Sequence, residues 1–103
     1  MKGKDKFNKL LLKTIDEELK QIFGESATGI IYNNLEKNYS LKREEIPEKL
    51  EVFIGGLEEF LSSGAHVVEI IILKKVYSNL GFQCQIIEGY SFVDYMTKLK
   101  KNI

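Results

Sequence analysis

The stretch AHVVEIIILKKVYSNL, Ala65 to Leu80, decides the fold. It follows Ser62-Ser63-Gly64 and stops at Gly81. Laid on a helix, Val67, Val68, Ile70, Ile71, Ile72, Leu73, Val76, Tyr77 and Leu80 cover nearly every direction around the axis. A helix that is apolar all round is buried on several sides or lies in an interface. The rival reading is a buried strand, because VVEIIIL is rich in β-branched residues. Length opposes a strand, since strands usually run about four to eight residues. A weak internal match opposes it too. A shift of 41 positions lays Glu17-Glu18-Leu19 on Glu58-Glu59-Phe60, Ile30-Ile31 on Ile71-Ile72, Leu35 on Val76 and Asn38 on Asn79.

Downstream of Gly81, QCQIIEG alternates briefly and reads as an extended segment or a small strand. Tyr90 to Lys101 then reads as a helix with Ser91 as cap and Asp94 three residues on, a shortened capping box. Its apolar side is Phe92, Tyr95, Met96 and Leu99.

Upstream, Pro47 to Leu61 reads as a helix interrupted by Gly55-Gly56, with a kink expected there. Ser40 to Pro47 reads as a charged connector, with Pro47 in the first turn of the helix after it. A helix from Ser26 to Tyr39 carries Ala27, Ile30, Ile31, Leu35 and Tyr39, with Ser26 as N-cap and Gly29 marking a close crossing. The first helix, Lys6 to Phe23, has Phe7, Leu11, Ile15, Leu19 and Ile22 on one stripe and ends at Gly24. Residues 1 to 5 form a polar lead expected to fray. The expected architecture is all-α: one domain over residues 1–103, with about five helices in two antiparallel helical hairpins and a C-terminal helix closing over them.

Composition narrows the classes of function. The chain of 103 residues is 44% hydrophobic and 29% charged, ordinary for a globular domain. Fifteen basic side chains balance fifteen acidic ones, so the basic excess of most nucleic-acid binders is missing. Cys84 is the only cysteine, which excludes an intrachain disulfide and suits a reducing compartment. No signal-peptide pattern precedes the first helix, and the longest unbroken apolar run, Ile70 to Leu73, is far too short for a bilayer. These features lead us to expect a cytoplasmic chain with no membrane association.

No GxGxxG, P-loop, HExxH or paired CxxC motif is present. His66 stands three residues before Glu69, a spacing that metal-binding bundles use, but in reversed order and without a second histidine. A polar pair at a helix start is the expected reading. Cys84 has no neighbouring cysteine, and Glu17-Glu18 and Glu58-Glu59 read as solvated pairs. We therefore expect no enzyme, no metal and no cofactor. Two basic clusters, Lys2, Lys4, Lys6, Lys9 and Lys13 at the start and Lys98, Lys100 and Lys101 at the end, would form one phosphate-contacting face if the termini meet beside Tyr90, Phe92 and Tyr95. An apolar ligand pocket walled by Phe53, Phe60, Tyr77 and Tyr32 is a further alternative, set against their reading as core.

The runs ESATGIIYNNLEKNYSLKREEIPEKL, IPEKLEVFIGGLEEFLSSGAHVVEIIILKKVYSNLGF and GYSFVDYMTKLK together resemble small archaeal domains known as Nitrosopumilus output domains. The likeness covers about residues 10 to 100. It rests on the apolar helices, the Ile46-Pro47-Glu48 turn, the Gly64-Ala65 step and the Gly89-Tyr90-Ser91-Phe92 step. It implies a regulatory or signal-output role without a catalytic residue set. The expected function is thus contact between helices, as a homodimer. The expected interface is Val67, Ile70, Ile71, Leu73, Lys74 and Tyr77.

Overall fold

The computed structural model describes residues 2–102, with side chains from Asp5 onward. Among these residues the chain is all-helical: α1 (Lys2–Tyr39), a short 3-10 helix (Arg43–Glu48), α2 (Leu50–Leu61), α3 (Gly64–Asn79) and α4 (Phe92–Lys101), with no strand. None of these helices is long and apolar enough to cross a membrane.

The first two expected helices are the arms of α1, which bends sharply at Gly24 (φ 88°, ψ 167°). That backbone region is essentially closed to residues with a Cβ, so a glycine has to stand at the bend. The arms fold back on one another, and Tyr32 Oη donates to Asp16 Oδ1 at 2.8 Å. Thr28, not Ser26, makes the side-chain bond at the bend, donating to the Gly24 carbonyl at 2.7 Å. Helix α1 already begins at Lys2, so residues 2–5, expected to fray, are its first turn.

The stripe of the first arm does what its spacing requires, and Phe7, Leu11, Ile15 and Leu19 are all buried. Ile31 and Leu35 join them from the second arm. Each such side chain contributes roughly 1.5–3 kcal/mol by leaving water. Ile22 and Ile30, assigned to the same stripes from spacing, instead lie exposed.

The charged connector is more structured than its composition implies. Arg43–Glu48 forms a 3-10 helix with Ile46 and Pro47 buried, so Pro47 belongs to this turn and not to the helix that follows. The Glu45 carboxylate opens the turn by accepting from the Lys42 backbone N–H at 2.9 Å. Helix α2 runs unbroken through Gly55 and Gly56. The close crossing falls at Gly56, where a Cβ would run into Leu35 Cδ2 and sit 3.4 Å from the Tyr39 ring. Gly29 has open space around it and marks no crossing.

Ser62 (φ 53°) turns the chain between α2 and α3, its N–H donating to the Glu58 carbonyl at 2.9 Å. Helix α3 ends in a Schellman pattern: Phe82 N–H bonds Tyr77 O at 2.9 Å and Gly81 N–H bonds Ser78 O at 3.0 Å. Residues 82–87 then run without regular structure or strand pairing. Tyr95 of α4 anchors them, its hydroxyl accepting from Ile87 N–H at 2.7 Å and lying 3.2 Å from Ile87 O as donor. The capping box of α4 forms as its sequence requires, with Asp94 N–H on Ser91 Oγ at 3.1 Å and Ser91 N–H on Asp94 Oδ2 at 2.9 Å. One apolar cluster draws on all four α-helices, from Phe7 to Leu99.

Candidate interaction surface and the Glu69 cleft

Helix α3 is covered on most of its circumference by its own chain. Ala65, Val68, Ile72, Leu73, Val76 and Tyr77 are buried against the other helices. Two of the six expected interface residues, Leu73 and Tyr77, therefore belong to the core and offer nothing to a partner. All-round apolarity on a sequence cannot tell an inward face from an outward one, and here the other elements cover Leu73 and Tyr77 but leave Val67 and Ile71 open. Val67 remains 58% exposed and Ile71 36% exposed. With exposed Lys74 they recur at steps of four and three, one strip of the helix. Ile70 is half-buried beside it.

Further apolar surface lies outside α3. Phe60, near the end of α2, is exposed and lines a shallow cleft with Asn34, Asn38, Tyr39 and Glu59. There the Tyr39 hydroxyl bonds Glu59. Phe82 and Ile86 stand exposed on the segment before α4.

The two basic clusters do approach one another. Lys100 Nζ lies 5.9 Å from the ring centre of Phe7, so the end of α4 packs beside the start of α1. Lys6, Lys9, Lys13, Lys98 and Lys101 are exposed. The Lys4 side chain falls outside the described residues. Phe92 and Tyr95 are buried and unavailable for stacking, which leaves Tyr90 as the accessible aromatic, with Lys98 Nζ 5.9 Å from its ring centre. Glu88 and Asp94 share a cleft with Lys98 and Lys101, which dilutes the positive charge of that end.

The four aromatics assigned to an apolar ligand pocket are dispersed. Phe53 is wholly in the core, Tyr32 bonds Asp16, Phe60 faces the cleft described above, and Tyr77 borders one formed with Phe82, Ile87 and Leu99. Cys84 is half-buried, and burial pushes its thiol up despite the pull of Lys74, which opposes thiolate chemistry.

His66 and Glu69 do not form a simple solvated pair. Glu69 is buried, while His66 is exposed. Both line a cleft of about 250 Å³ together with Glu58 of α2 and with Tyr90, Phe92 and Tyr95 around the start of α4. Burial holds the Glu69 carboxyl above the usual range, the Glu58 charge adds to this, and His66 opposes it. The meeting of Glu58 and Glu69 was open to inference from their spacing. Glu58 stands four residues before Ser62 and Glu69 six after Ser63, so helices folded about that turn bring the two stretches together. Among the described residues no group of three or more His, Cys, Asp or Glu side chains is placed to hold a metal.

Compared with known proteins, the chain matches no family model, no curated protein and no solved structure.

Proposed function

We propose that this chain is a non-enzymatic regulatory or signal-output module that acts through helix contacts and self-associates along the exposed strip of α3. The observation that carries this reading is the exposure of Val67 and Ile71, aligned one turn apart on a helix whose other apolar residues are buried, save half-buried Ile70. Two copies meeting across a two-fold axis would cover both residues at once, because the same patch serves each side. The reading assigns the helices to two antiparallel hairpins, the arms of α1 and the α2–α3 pair, with α4 lying over them. It also keeps the resemblance to Nitrosopumilus output domains and the cytoplasmic, archaeal setting that goes with it. The test is the molar mass of the Val67→Asp, Ile71→Asp double variant. Loss of the dimer with helicity retained supports the reading, and an unchanged dimer rejects the strip as its interface.

The contact of Lys100 with Phe7 supports a second reading, nucleic-acid binding by the joined ends of α1 and α4. Binding to mixed-sequence DNA would then weaken steeply with salt, because each phosphate contact releases counterions. No binding at low salt rejects it.

A further inference from the structure

Glu69 Oε2 is fully buried and has no hydrogen-bond partner. The residue retains only 9% of its exposure. Carboxylates are not left this way without consequence, since an unmet buried acceptor carries its full desolvation penalty. The residue also lines the 250 Å³ cleft, so a turn of the carboxylate would present this oxygen to a partner there.

The lining specifies what that partner would be. Glu58 adds a second carboxylate, and His66 is the only basic residue on the wall, so an anion is disfavoured. Phe92 and Tyr95 form a buried apolar side, and Tyr90 stands exposed, its ring centre 5.2 Å from that of Tyr95 in a T-shaped arrangement. Aromatic rings beside carboxylates suit an organic cation, held by charge at one point and by ring faces around it. A hard divalent ion held by one or two carboxylates keeps several waters, which the apolar side of Phe92 and Tyr95 does not suit. Tyr90 already accepts one ammonium group, Lys98 Nζ, within cation–π range. Lys98 itself borders the neighbouring clefts and not this one.

We infer that the cleft between the start of α3, Glu58 and the start of α4 binds a small organic ammonium ion, with Glu69 as its counter-charge, Tyr90 as the accessible ring beside it and the edges of Phe92 and Tyr95 as an apolar floor. Bound charge would favour the ionised form of Glu69 against the burial and the Glu58 repulsion that disfavour it. His66, exposed on the same helix, is the one basic side chain that lines the cleft. Binding therefore strengthens as pH rises and the Glu69 carboxyl ionises.

The test titrates butylammonium chloride and choline chloride into the full chain at constant ionic strength, with sodium chloride and magnesium chloride as controls, read by backbone amide NMR shifts. The expected result is a saturable response centred on Glu58, His66, Glu69 and Tyr90. It weakens by about tenfold in Glu69→Gln, as loss of a charged partner requires, and persists in the surface control Glu25→Gln. Amide dispersion confirms that each variant is folded, and Tyr90→Ala, at an exposed position, provides a second probe that spares the core. The inference is overturned if neither organic cation saturates beyond sodium chloride, if magnesium alone gives the same response, or if folded Glu69→Gln binds as the native chain does.

Discussion

Tyr32 and Asp16 lie sixteen residues apart within α1, yet the tyrosine hydroxyl donates to the carboxylate at 2.8 Å. A straight helix would hold them roughly 24 Å apart. The bend at Gly24, eight residues from each, makes the bond possible. Lys20 Nζ reaches Asp16 Oδ2 at 3.0 Å and Arg43 reaches it at 3.6 Å, so the 3-10 turn is tied to the same carboxylate. Arg43 also lies 5.7 Å from the centre of the Tyr32 ring. Tyr32→Phe should cost about 1.5–3 kcal/mol of unfolding free energy in urea denaturation, as expected for a hydrogen bond to a charged acceptor.

The same carboxylate gives a pH signature. Burial raises the Asp16 carboxyl, but the hydrogen bonds from Lys20 and Tyr32 and the charges of Arg43 and Lys20 outweigh it and leave it below the usual 3.8. A depressed folded value means stability that is present above the unfolded value and lost as pH falls through the folded one. The stability gap between the native chain and Asp16→Asn should therefore be open at neutral pH and close in acid, measured by thermal unfolding at a series of pH values.

Glu69 carries the opposite sign. Its carboxyl is held above the usual 4.5, first by burial and then by Glu58. In the absence of a bound cation the folded state keeps its proton to higher pH than the unfolded state does. Stability from this group is thus present below the unfolded value and lost as pH rises through the folded one. Glu69→Gln should raise the melting temperature at neutral pH and leave it nearly unchanged in acid.

Three glycines should respond differently to alanine. At Gly24, with φ at 88°, alanine is strained and should cost about 1–3 kcal/mol. At Gly56 it overpacks the crossing with the buried Leu35 and should cost about 1–3 kcal/mol. At Gly29, which is exposed, helical and surrounded by open space, it should stabilise by about 0.4–1 kcal/mol. Urea denaturation of the three single variants checks all of these signs.

Much of the fold was legible because helical spacing is a local property. The stripe Phe7-Leu11-Ile15-Leu19, the Ser91-Asp94 cap and the helical reading of the Ala65–Leu80 stretch needed no tertiary knowledge. What escaped depended on which surfaces meet. Gly29 and Gly56 look alike in sequence, and the approach of Leu35 alone separates them. Asp16 sits among Lys9, Lys13, Glu17 and Lys20, and nothing in that local sequence points to Tyr32, which only the bend brings to it. Leu73 and Tyr77 carry the same apolar signal as Val67 and Ile71, yet the first pair is covered by the chain and the second pair is not. The Glu69 cleft escaped because its aromatic wall comes from the start of α4, across an irregular segment whose path no periodicity specifies.

Self-association through the α3 strip is the central claim, and the molar mass of the native chain in solution tests it most directly. Sedimentation equilibrium across a micromolar concentration series should give a species of about 24 kDa, twice the 11.9 kDa chain, that dissociates on dilution. A single species at 11.9 kDa across the whole series would contradict it.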